Sequence, residues 1–186
     1  EFFKRVRNSV TSFSEGKQTT WEHTSLTGSF SFNSGIITHA SEDKYSNEAI
    51  ADNKYVAKKD SLGTIITDLK SHTWDTQNSA IHAIRTLKGT YDINDFFVLG
   101  RNVLQAAEGG AFRAERYMNN LQYWFDRYEK SMAECILDGM LFEVYFDSEG
   151  KVRDEPKSTY LNNLLELKEL DEYKKSFDFI NEQLLP

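Results

Sequence analysis

Cysteine and proline are scarce in this chain: 186 residues contain one cysteine and two prolines. A single thiol cannot close an internal disulfide, which excludes a disulfide-stapled secreted scaffold and points to a reducing, cytoplasmic setting. No apolar run approaches the ~18 residues of a membrane-spanning helix, so no membrane partner is expected. No Cys-x-x-Cys, His-x-x-x-His or carboxylate cluster has metal-ligand spacing, and neither a metal nor a cofactor is expected. Basic residues are in the minority, with 22 Lys and Arg against 29 Asp and Glu. Residues 1–33 hold four basic and three acidic groups, which leaves 18 and 26 for residues 34–186, a balance of −8. A region with that balance does not bind nucleic acid through bulk electrostatics.

What is present is ample material for a core, with 39% hydrophobic and 13% aromatic residues. Phe2, Phe3, Val6, Val10 and Phe13 recur at intervals of three and four, which places them on one side of a helix. The helix is expected to stop near Ser14 to Gly16, where glycine accepts the left-handed conformation that closes many helices. From Leu26 to Phe32 the pattern changes: Phe30 and Phe32 share one face of a strand, and Ser29 and Ser31 the other. One helix and one strand cannot offset an ordering entropy of roughly 1–2 kcal/mol per residue, so the rest of their sheet must come from elsewhere.

The order of residues in this segment resembles the closing part of a caspase-type peptidase domain. There, as in bacterial caspase-like proteins and metacaspases, a helix leads through a Lys-Gln-x-Pro or Gln-x-Pro-Trp connector and a Ser-x-Leu step into the last strand. Lys17, Gln18, Trp21, Ser25, Leu26, Thr27, Gly28, Phe30 and Phe32 match that pattern. Thr20 departs from it, since the family often has proline there, and a connector without proline is less rigid. The resemblance implies that residues 1–33 end an α/β caspase-like sheet. It further implies a Cys/His dyad upstream, so no catalytic residue is assigned in this chain. A companion large fragment or upstream domain, a protein substrate, pairing of two copies through the terminal strand and a role in bacterial defence are implied in the same way.

Cys135 invites pairing with His23, His39, His72 or His82. It lies among Trp124, Phe125, Tyr128, Met132 and Ile136 at helical spacing, however, so it reads as a small buried hydrophobe. His23 reads as a solvated or turn-bonded side chain and His82 as a structural hydrogen-bonding group.

A linker is expected over 34–45 and a largely helical domain with its own core over 46–186. Ala49, Val56 and Ala57 suggest a first, weakly amphipathic helix. Leu62, Ile65, Ile66 and Leu69 define a second, and Trp74, Ile81, Ile84 and Leu87 a third, ended by Gly89. Asp92 or Asn94 caps a fourth that carries Phe96, Phe97, Leu99, Val103, Leu104 and Ala107. Gly109-Gly110 breaks it, and a fifth from Ala111 leads into a long helix carrying Trp124 to Ile136. Leu141–Phe146, a turn at Asp147–Gly150 and Lys151–Arg153 read as a small β-hairpin or a helix-terminal excursion. Asp147-x-Glu149-Gly150 lacks the further oxygen ligands of a calcium loop. Tyr160, Leu164, Leu165, Leu167, Leu170, Tyr173, Phe177 and Ile180 mark the closing helices. The fold class is therefore mainly α.

Arg101, Arg113 and Arg116 flank the Gly109-Gly110 break. A helix starting there would aim free backbone N–H groups at an anion, with Arg113 and Arg116 one turn apart, to hold a phosphate, a nucleotide or a partner's carboxylate. The same arginines could instead pair with Glu108 and Glu115 on a solvated face. Three functional readings follow: the C-terminal portion of a caspase-like endopeptidase with a helical regulatory or partner-binding domain, a non-enzymatic helical adaptor, and an anion-sensing domain.

Overall fold

A computed structural model describes residues 44–87 and 89–185. The expected helix over 2–13, the strand over 26–32 and all but the end of the linker lie outside the described residues. Nine α-helices follow one another: α1 Asn47–Ile50, α2 Ser61–Leu69, α3 Trp74–Ile84, α4 Ile93–Glu108, α5 Phe112–Met118, α6 Leu121–Phe125, α7 Lys130–Tyr145, α8 Leu161–Glu166 and α9 Lys174–Gln183. Among the described residues there is no β-strand, so the helical domain is confirmed as mainly α.

Local chemistry sets several of the starts. Asp60 Oδ1 accepts the Gly63 N–H at 2.7 Å and Asp92 Oδ1 accepts the Asn94 N–H at 2.9 Å, each satisfying a donor that the helix itself cannot. The expected break after α4 occurs where Gly109 caps the helix and Gly110 adopts a φ of 84°.

The centre of the fold is the crossing of α4 and α7, and glycine makes it close. A Cβ built on Gly100 would stand 2.0 Å from the Ile136 carbonyl oxygen, and one on Gly139 1.9 Å from that of Phe97. Each helix thus presses its backbone against the other's glycine, which brings buried Phe97, Val103 and Leu104 against Ile136, Met140 and Phe142. Phe97 and Phe142 meet edge to face at 5.4 Å, and Phe142 stacks on Phe146 at 4.0 Å. Around this pair, α2 lies on α3 and α4, α5 on α3 and α4, and α9 on α7.

Three expectations change, and one left open between two readings is decided. Tyr45, expected at the end of the linker, is buried and stacks on Phe97 at 4.1 Å. Residues 49–57 form only the short α1, a 3-10 turn at Asp52–Lys54 and extended chain, with Val56 85% exposed, because polar anchors rather than an apolar stripe hold them. The run from Ala111 to Ile136 is three helices, broken at Asn119–Asn120 and again between Phe125 and Lys130. Finally, Leu141–Tyr145 is the last turn of α7, buried on all but its edge. Of the two readings, hairpin or helix-terminal excursion, the second holds, with one antiparallel bridge, Phe146 to Val152, beyond the helix end. The turn itself is present: the Gly150 N–H donates to the Asp147 carbonyl at 3.1 Å, with Gly150 at a φ of 81°.

Candidate functional site

Two constellations of polar side chains stand out, one buried and one exposed, and the three arginines expected at one site are divided between them. The buried set lies under residues 44–58, which run across α4 and α7 as a strap. Lys44 Nζ sits 2.8 Å from both Asp138 and Glu134, and the Tyr45 hydroxyl donates to Asp138 at 2.6 Å. The Ser46 N–H donates to Asn94 Oδ1 at 2.7 Å. Further along, Asp52 accepts from Asn102 at 3.0 Å and pairs with Lys70 at 2.9 Å. The Tyr55 hydroxyl and, at 2.9 Å, Lys58 Nζ both donate to Asp95.

Arg101 belongs to this set. It is fully buried; its guanidinium pairs with Glu143 at 2.8–2.9 Å and donates to the carbonyls of Ile50 and, at 2.8 Å, Asp147. Arg153 closes the other side of Glu143 at 3.0 Å. Arg101 therefore ties the strap and the Asp147 turn to the helix crossing and cannot meet a ligand, a correction to its expected role. Its position on α4, one residue after Gly100, turns it inward; a flanking double glycine in sequence carries no such information.

Burial outweighs Lys44 and the hydrogen bonds around Asp138 and pushes that carboxyl above its ordinary range. Burial, together with the Asp138 charge, also holds the Tyr45 hydroxyl far above the usual tyrosine value. Cys135 is buried as expected, and burial pushes its thiol up, so it holds little thiolate and lacks the character of a nucleophile. Among the described residues no group of three or more His, Cys, Asp and Glu could hold a metal ion.

The exposed constellation is formed by α3, α5 and α6. The Trp74 indole N–H donates to the Gly109 carbonyl at 2.8 Å, and the Arg113 N–H donates to Asn78 Oδ1 at 2.7 Å. These bonds set α3 and α5 side by side, with a shallow groove lined by Asp75, Asn78, Ser79, His82, Phe112 and Arg113 between them. The second bond also occupies a backbone donor that was expected to face an anion, and α5 is only seven residues long. The helix terminus is thus not the feature that matters.

Arg113 and Arg116 are exposed, and no ion pair involves either among the described residues. Their expected partner Glu108 is engaged elsewhere, accepting from the Thr159 N–H at 2.8 Å and the Ser158 hydroxyl at 2.7 Å. Arg116 lies over the Phe112 ring at 5.7 Å, Arg85 over Trp124 at 4.6 Å and Arg127 over Tyr123 at 3.4 Å. Trp74, one of the apolar positions that marked the third helix, is 63% exposed, and Phe112 is 60% exposed. His82, expected to make a structural hydrogen bond, is exposed on the groove without one. Sequence reasoning missed Arg85, Arg127 and the exposed rings, because aromatic residues at helical spacing read as core wherever the neighbouring helix is unknown. Among the described residues, no helix is long and apolar enough to cross a membrane.

No family model, no curated protein and no solved structure matches this chain.

Proposed function

We propose that the chain is the C-terminal portion of a caspase-like cysteine endopeptidase, in which residues 46–186 act as a regulatory or partner-binding domain and carry no catalysis of their own. The peptidase part of this reading rests on the resemblance of residues 15–32. The observation that supports the domain's role is how its charges are used. The strongly buried acids, Asp52, Asp95, Asp138 and Glu143, each pair with a Lys or Arg of the domain itself, while the arginine and aromatic face stays open. Catalytic sites hold titratable groups poised at a cleft; here the buried groups are structural and the open face has the composition of a binding surface.

The test uses the complete polypeptide that carries this chain. An upstream Cys and His are expected, and removing residues 46–186 is expected to change activation or substrate range while those two residues remain. Absence of the dyad, or activity unchanged by the truncation, refutes the proposal. The adaptor reading differs in one respect: it requires no dyad and predicts that residues 42–186 alone fold and retain a protein partner.

A further inference from the structure

The arginines of the helical domain are distributed in an uneven way. Six lie among the described residues; Arg101 and Arg153 are spent on Glu143, and the other four, Arg85, Arg113, Arg116 and Arg127, all lie on the α3, α5 and α6 side. None of those four has a carboxylate partner among the described residues, although acidic groups outnumber basic ones in this part of the chain. A surface that needed only solubility in an acid-rich domain would satisfy its arginines locally. Instead, three of the four lie on rings, at 4.6, 5.7 and 3.4 Å from Trp124, Phe112 and Tyr123. Stacking holds the guanidinium plane against the ring; Arg127 also donates to the Tyr123 carbonyl at 2.5 Å, whereas the N–H edges of Arg85 and Arg116 stay free for a bidentate carboxylate.

Two exposed rings complete the face. Trp74 is pinned by its N–H bond to Gly109 and lies against Gly110, where an added Cβ would stand 3.8 Å from the indole. Phe112 lines the groove beside Arg113. Trp74 thus presents apolar area with little side-chain freedom left to lose on binding, the quality that makes Trp dominant at interfaces, and Phe112 adds a second exposed ring.

We infer that this face docks an acidic segment of a partner polypeptide, in which carboxylates meet Arg113, Arg116 and Arg85 and intervening apolar side chains meet Trp74 and Phe112. The carboxylate chemistry is favoured over nucleic acid because the negative balance of the domain opposes a dense phosphate array far more than a few spaced carboxylates. Asp75, on the groove wall, adds to that opposition locally. The inference rests on the partner-binding reading of the domain and names the chemistry of the partner.

The experiment is fluorescence anisotropy on the whole 186-residue chain. The probes are a labelled peptide of glutamate interspersed with leucine and phenylalanine, its glutamine counterpart, and a single-stranded oligodeoxynucleotide. The acidic peptide is expected to bind, and Arg113→Ala with Arg116→Ala to weaken it by about tenfold or more, as does Trp74→Ala. Lys174→Ala with Lys175→Ala, exposed on α9, leaves it unchanged. Charge reversal, Arg113→Glu with Arg116→Glu, is expected to lose the acidic peptide and gain a lysine-for-glutamate version, which a merely misfolded variant cannot do. Equal binding of the glutamine peptide, indifference to both arginine variants, or tighter binding of the oligonucleotide overturns the inference. If the acidic peptide fails while truncation still changes peptidase behaviour, the docking surface falls and the domain's role stands. The opposite pair of results supports the surface and ends the regulatory reading.

Discussion

Replacing Arg101 with methionine keeps most of the buried volume and removes the charge. The guanidinium is fully buried and is the partner of Glu143 at 2.8–2.9 Å; it also donates to the carbonyls of Ile50 and Asp147. Removing one member of a buried ion pair costs ~3–5 kcal/mol, and each orphaned buried acceptor ~1–3 kcal/mol. These terms overlap, because Arg153 remains 3.0 Å from Glu143 and its side chain is 22% exposed, so it can stay charged at little cost. The expected loss is about 4 kcal/mol, against the 5–15 kcal/mol that holds a typical domain together, and at about 2–4 °C per kcal/mol it lowers the Tm by about 8–16 °C. Urea unfolding followed by far-UV circular dichroism reads it as a lower midpoint at constant slope. Adding Glu143→Leu removes the stranded carboxylate, so the double variant is expected to be less destabilised than the two single losses added together. A loss under about 1 kcal/mol for Arg101→Met, or strict additivity, would refute the assignment of Arg101 to the scaffold.

Two further outcomes follow from the packing. Gly139→Ala should gain ~1 kcal/mol of helix propensity in isolation, yet its Cβ would meet the Phe97 carbonyl oxygen at 1.9 Å, and backbone cannot swing aside. A net loss of about 2 kcal/mol or more is expected in the same urea assay, while Gly109→Ala, whose nearest neighbour stands at 3.4 Å, is tolerated; equal stability of Gly139→Ala and the parent would show that the helices can separate. Burial raises the tyrosine hydroxyls from 10.0, to about 12 for Tyr128 and Tyr173, and holds those of Tyr45 and Tyr117 well above 10.0. The folded state therefore holds protons that the unfolded chain releases, so this contribution is fully present below pH 10.0 and is lost as pH rises above it. Tyrosinate absorbance of these residues should appear together with loss of helix; ionisation near pH 10.0 with the dichroism intact would contradict their burial.

The clearest sequence signals were local ones. Leu62, Ile65, Ile66 and Leu69 repeat at helical spacing and form α2; Asp92 caps α4; Gly109-Gly110 ends it. Cys135 is a packing residue, as its apolar neighbours implied. The strap was illegible because its anchors, such as Asp95 and Asp138, are acids that look solvated until the helix they sit on is surrounded. One signal could have pointed to them, namely a carboxylate inside a run that is apolar on every side, as Asp138 is between Leu137 and Met140. The aromatic and β-branched content of Leu141–Tyr145 left a strand open beside a helix end, and burial on α7 decides for the helix.

By itself, the sequence determined the helical character of residues 46–186, the Asp92 cap, the Gly109-Gly110 break and the acid excess, because periodicity, capping and charge depend on neighbours along the chain. Tertiary structure decided which arginines are buried and which are open. Arg101 and Arg113 differ little in sequence context, yet one lies at the α4–α7 crossing, sealed between Glu143 and two carbonyls, and the other on an exposed groove beside Phe112. The reason is geometric: the glycines at 100 and 139 let two helices approach until everything between them is dry, and a charge caught there must be paired within the scaffold.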